Sequence, residues 1–126
     1  IARPDVEWVL IEPMERRVAW LSEQVESLEL DNVEVLRARA EDWKRGQVLD
    51  AVTARAVSAL RTLVPITAPL VRDGGELILL KGTSATNEID AAEKQLRKFK
   101  VTNPRVEVIG EGLLPEPSRV IRATVR

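Results

Sequence analysis

Apolar positions follow two periods along the chain. Residues 7–12 and 76–80 are too apolar through their centres to have one wet face, as expected of strands in a parallel sheet covered on both sides. Residues 33–36 and 49–54 have the apolar content of two further strands. Between these runs the period changes to that of a helix. Val18, Leu21, Val25 and Leu28 recur at the three-four spacing of one buried face, and Pro13 suits the first position of that helix, where its missing N–H has no partner to lose. A turn or short helix is expected between residues 37 and 46, and a longer helix over 58–70, kinked or broken at Pro65. Asp73-Gly74-Gly75 predicts a turn, and Ile89, Ala92, Leu96 and Phe99 predict one helix that starts at Thr86 or Asn87 and runs to Lys100. Strands at 105–109 and 119–125, joined by a loop with two Pro and two Gly, close the chain as a hairpin.

Strand and helix therefore alternate until the last two strands. That order predicts an α/β fold with a mostly parallel sheet, right-handed crossovers and a C-terminal antiparallel hairpin, in a single domain over residues 1–126. Sheets of this type bind ligands at the carboxyl ends of their strands. The polar residues falling there are Glu12, the Ala40-Glu41-Asp42 corner, Arg55 and Lys81 with Gly82.

Composition narrows the chemistry. The chain has 126 residues, enough for one domain with a core, and contains neither Cys nor His. Disulfides, cysteine zinc sites, cysteine nucleophiles and Ser/His/Asp arrangements are excluded, and no acid cluster suggests a metal site. The net charge of −1 does not describe a polycation. From Lys94 onward, however, eight Lys or Arg face three Glu, which suits either a phosphate-facing surface or a solvated helix and edge strand. No apolar run approaches a membrane span and no signal-peptide pattern opens the chain, so a cytoplasmic location is expected.

A carboxylate at the end of a buried strand can accept hydrogen bonds from both vicinal hydroxyls of a ribose, which makes Glu12 the first candidate for gripping a nucleoside. The alternative is a helix-start charge favoured by the dipole. Met14 suits an adenine face or ordinary packing. Ala40 and Glu41 suit an adenine edge, though acids opening a helix are commonplace. Arg55, among small residues after a strand, either reaches into the cleft or pairs with a nearby acid. Lys81 either meets phosphate or the target base, or snorkels from a strand terminus.

The segments LIEPMERRVAWL, RARAEDW, LDAVTARAVSAL and GGELILLKG, in this order and spacing, resemble the bacterial small-subunit ribosomal RNA methyltransferase G family, also called GidB. The resemblance covers essentially the whole chain. It implies a Rossmann-like class I methyltransferase sheet, S-adenosyl-L-methionine as cofactor, and methylation of a guanine N7 in 16S rRNA, either naked or within the small ribosomal subunit. It further implies that Glu12 holds the cofactor ribose, that Ala40 and Glu41 border the adenine, that Arg55, of the Arg55-Ala56 pair, lies at the cofactor and reaction centre, and that Lys81 and Gly82 lie on the RNA side. Guanine N7 carries no proton, so the transfer requires alignment more than acid or base, and a chain without imidazole or thiol suits it.

One feature of the family is missing. Its glycine-rich loop follows a first strand, whereas the first glycine of this sequence is Gly46. The sequence thus resembles the family's C-terminal portion, and the central first strand of the sheet is expected to be absent. The strands ending in Glu12 and Arg55 would then pair directly, accept a second copy, or leave open edges for a segment outside this sequence. A fragment of this kind is expected to be inactive by itself. The alternatives are a non-catalytic RNA-binding or interaction fragment, and half of an NAD-dependent dehydrogenase, whose ribose grip has the same form.

Overall fold

The computed structural model describes residues 1–55 and 58–126; Ala56 of the Arg55-Ala56 pair lies outside the described residues. Where one domain over 1–126 is expected from the sequence, the contacts divide into two compact units, Ile1–Lys44 and Arg45–Arg126.

The first unit is a strand–helix–strand crossover: β1 (Trp8–Glu12), α1 (Glu15–Ser27) and β2 (Val33–Arg37), followed by a 3₁₀ turn at Ala40–Asp42. β1 and β2 pair in parallel from Trp8↔Val33 to Glu12↔Arg37. Pro13 does not open α1 as predicted. It precedes the N-cap, Met14, because the first turn is set by the Met14 carbonyl accepting from Val18. Val18, Leu21 and Val25 are half-buried on one helix face, as the spacing requires, while Leu28 is exposed. The helix ends in a Schellman arrangement: Leu30 N–H donates to Val25 O and Glu29 N–H to Glu26 O. Glu29 occupies the left-handed position with φ 53°, which glycine normally fills. Replacing Glu29 with Gly removes about 1 kcal/mol of backbone strain, part of which is offset by glycine's greater freedom when unfolded. A small rise in the urea midpoint is the expected result.

The second unit contains β3 (Leu49–Arg55), α2 (Leu60–Thr67), a 3₁₀ turn (Ala68–Leu70), β4 (Val71–Lys81), α3 (Ala85–Ala91), α4 (Glu93–Lys98), β5 (Val101–Ile109) and β6 (Ser118–Val125). Its sheet order is β3-β4-β6-β5, with β3 parallel to β4 and β6 antiparallel to both β4 and β5. Only β6 runs against the rest of this sheet, so the predicted parallel sheet with a terminal hairpin is present. The core lies between one sheet face and the helices, built on Leu60, Val64, Leu77, Leu79 and Ile121, each contributing about 1.5–3 kcal/mol by burial.

Three details of the second unit differ from the sequence pattern. Pro65 does not break α2, which continues to Thr67; the carbonyl deprived of its donor belongs to the exposed Arg61, and Leu63, Val64 and Thr67 hold the buried face. Asp73-Gly74-Gly75 is not a turn but an irregularity inside β4. Leu49 pairs with Val71 and Ala51 with Glu76, so β4 takes up the extra residues there. The predicted helix through Lys100 is two helices that share Ala92, a fully buried residue whose backbone (φ −99°, ψ 4°) leaves the helical path; α3 is preceded by Ser84 rather than by Thr86 or Asn87.

β1 and β3 belong to different sheets. Among the described residues, β1 has a partner on one side only, and so does β3.

Candidate functional site

In the first unit the two parallel strands end side by side, and their outgoing segments meet at the carboxyl end. The backbone N–H of Ala38 donates to Glu12 O at 3.2 Å, so the chain leaving β2 toward Ala40 starts against the end of β1. The Glu12 side chain is 19% exposed. Its Oε1 accepts from the Met14 backbone N–H at 3.1 Å and has Arg17 Nη1 at 3.9 Å. Among the described residues Oε2 has no hydrogen bond, so the carboxylate is fixed through one oxygen and available through the other. Glu12 steadies the helix start, as a helix-start charge would, and keeps acceptor capacity at the strand end.

Met14 is half exposed at the N-cap of α1, not packed into a core. Ala40 opens the 3₁₀ turn half-buried, and Glu41 next to it is exposed. Four of the sequence-predicted residues, Glu12, Met14, Ala40 and Glu41, thus lie at one end of one strand pair.

In the second unit Arg55 is the last residue of β3, in register with Leu80 of β4. It is exposed and has no ion-pair partner among the described residues, so the alternative of a structural pair with an acid is not realised. It shares a sheet face with Ile78 and Leu80, opposite to the helices. Gly82 is exposed, and a side chain added there would meet nothing within 4 Å.

Lys81 neither snorkels to solvent nor presents its charge there. Its side chain is 3% exposed, and Nζ donates to Ser58 O at 2.6 Å and lies 3.1 Å from Glu88 Oε1. The same Glu88 oxygen accepts from the backbone N–H of Leu60 at 3.0 Å. Glu88 and Ser58 escape the sequence pattern: an acid in the first turn of a helix and a loop serine are too common to mark.

The basic C-terminal third is partly self-neutralised. Arg97 pairs with Glu93, Arg105 with Glu107, and Arg122 with Glu76 and Glu107, whereas Lys94, Lys98 and Lys100 are exposed. The hydrogen bond and charge of Glu76 hold the Arg122 guanidinium above its ordinary pKa. Among the described residues no group of His, Cys, Asp or Glu could hold a metal ion, and no helix is long and apolar enough to cross a membrane.

The strand order, the reversed last strand and the acid at the end of a parallel strand define an α/β fold of the Rossmann-like class I methyltransferase type. Solved structures carry the same fold: an S-adenosylmethionine-dependent O-methyltransferase from Thermotoga maritima has a TM-score of 0.69 at 14% identity, over 94% of this chain and 49% of its own. A tRNA (m1A58) methyltransferase from Aquifex aeolicus has a TM-score of 0.68 at 12% identity, over 95% of this chain and 53% of its own. The chain belongs to the rRNA small subunit methyltransferase G family, whose model matches residues 1–116. Curated relatives named ribosomal RNA small subunit methyltransferase G include one from Leifsonia xyli subsp. xyli, 65% identical over all 126 residues, and one from Clavibacter sepedonicus, 58% identical over 125 residues. The chain spans 60% and 59% of their respective lengths. Membership of this family decides against a dehydrogenase half.

Proposed function

We propose that this chain is part of an S-adenosyl-L-methionine-dependent methyltransferase that modifies N7 of a guanine in 16S rRNA, and that its two units belong to one methyltransferase domain. The observation that carries the reading is Glu12: a carboxylate at the end of a parallel strand, held through Oε1 by a backbone N–H and open at Oε2. That arrangement fits the ribose diol of the cofactor, and the half-buried Ala40 with the exposed Glu41 fits an adenine edge. Met14 lies against the adenine face.

When bound, the sulfonium supplies an electrophilic methyl group. The chain's residues bind and orient. Glu12 accepts from ribose hydroxyls, and the exposed guanidinium of Arg55 aligns the cofactor or the guanine. Guanine N7 attacks through an in-plane lone pair, so no side chain has to remove a proton. Gly82 borders the RNA and leaves room for close approach, while Lys81 supports that corner from the buried side. The partner is 16S rRNA or the small ribosomal subunit, and the location is cytoplasmic. The 126-residue chain by itself is inactive, and its open β1 and β3 edges are where it self-associates.

Glu12→Ala in a full-length protein carrying this sequence is expected to weaken S-adenosylmethionine about tenfold to a hundredfold, the scale of losing a charge-assisted hydrogen bond of about 1.5–3 kcal/mol. Calorimetric titration measures it. Transfer of labelled methyl to 16S rRNA, with the product identified as N7-methylguanosine, tests the activity itself. Wild-type affinity in the variant, or label on another atom, would overturn the corresponding part.

A further inference from the structure

The buried ammonium of Lys81 has a task other than meeting RNA. β4 alternates between its two faces, and Gly75, Leu77, Leu79 and Lys81 all point to the buried side. Leu80 and its register partner Arg55 point to the other side. Under the end of the sheet, Lys81 spans from β4 to the chain that follows β3, where it takes Ser58 O at 2.6 Å. Glu88 completes the tie from α3. It lies 3.1 Å from the ammonium and accepts from the N–H of Leu60, the first residue of α2. The N-cap of α2 is Ala59, which has no side-chain acceptor, so the acid supplied by α3 satisfies an amide that would otherwise be orphaned. Chain on both sides of residues 56–57 is therefore fixed to β4: Arg55 through the strand ladder to Leu80, and Ser58 to Leu60 through the Lys81–Glu88 pair.

The geometry points to Lys81 and Glu88 as positioning residues that set where the chain leaves β3, and through it the placement of Arg55, without touching cofactor or RNA. This rests on the proposed role of Arg55. A buried pair is an expensive way to stabilise a fold, because desolvation offsets most of the attraction. Its value here lies in two oppositely polar backbone groups, a carbonyl and an amide two residues apart, that one cation and one anion hold simultaneously.

The test uses the full-length protein carrying Lys81→Met/Glu88→Gln. Neutral glutamine still accepts from Leu60, no unpaired charge is left behind, and only the tie to Ser58 is lost. The expected results are a Tm close to that of the wild type and about tenfold faster amide exchange over residues 58–60 in the protein without cofactor. At a temperature where the variant is folded, kcat should fall about thirtyfold to a hundredfold, the scale of a small misplacement at a reacting centre. KM for RNA and the salt dependence of RNA binding should not change, whereas loss of a phosphate contact would lower the salt slope by about one.

Adding Arg55→Ala to the pair should reduce the rate little beyond Arg55→Ala alone, since one acts through the other. Effects that multiply, a raised KM for RNA with a lower salt slope, or unchanged exchange at residues 58–60 would each overturn the inference. If Arg55→Ala alone leaves turnover at the wild-type level, the reading of Arg55 fails and this inference fails with it. Loss of turnover in Arg55→Ala alongside a multiplicative cycle sinks only the inference.

Discussion

Arg55→Ala in a full-length protein carrying this sequence is expected to lower the rate of methyl transfer to 16S rRNA about a thousandfold, the upper range for removal of one preorganised donor at a reacting centre. The fold should be untouched. Arg55 is exposed at the end of β3 and has no ion-pair partner among the described residues, so truncation leaves no charge stranded and no cavity. Stability should stay within about 0.5 kcal/mol of the wild type, as for surface substitutions in general. Arg55→Lys should recover little of the rate, because a single ammonium does not reproduce the planar fork of donors. Single-turnover kinetics with labelled cofactor separates this loss from slow product release, and wild-type turnover in the alanine variant would remove Arg55 from the mechanism.

The largest effect on stability is expected at Gly75. A methyl group there would sit 2.6 Å from the carbonyl oxygen of Asp50, 3.1 Å from that of Arg72, and against Val71 Cγ1. The carbonyls belong to backbone that cannot rotate away, so Gly75→Ala must push β3 from β4 at the irregular step where Ala51 pairs with Glu76. Overpacking of this kind costs about 3 kcal/mol, and valine more. Gly74 is the control. It has φ 84°, but an added Cβ meets only the flexible Arg72 side chain at 3.6 Å, so Gly74→Ala should cost about 1–2 kcal/mol through the backbone alone. Urea unfolding of the two variants decides it: if Gly75→Ala is no worse than Gly74→Ala, close backbone approach is not what requires glycine at residue 75.

Much of the site in the first unit was legible in the sequence. Glu12 is preceded by an apolar run and followed by a helical period, and these two local patterns already place a carboxylate where a parallel strand ends and a helix begins. The same logic put Arg55 at the end of β3. It failed for Lys81, which also follows an apolar run. Nothing nearby reveals that its charge turns inward to a carbonyl 23 residues earlier and a carboxylate in the next helix. It failed again at Asp73-Gly74-Gly75, where turn chemistry predicts a reversal but β3 supplies a neighbour that keeps the chain in the sheet.

The sequence by itself determined the order of strands and helices, the C-terminal hairpin and the residues at strand ends, because the periods of two and 3.6 are properties of consecutive residues. It also determined the family, through segments that match in order and spacing. The tertiary structure alone decided which of those strand-end residues are exposed and which are tied down, why β4 needs Gly75, and where the predicted long helix divides. These outcomes depend on groups brought close from distant parts of the chain, and the energy of a buried charge or a backbone approach is set by those neighbours rather than by the residues on either side.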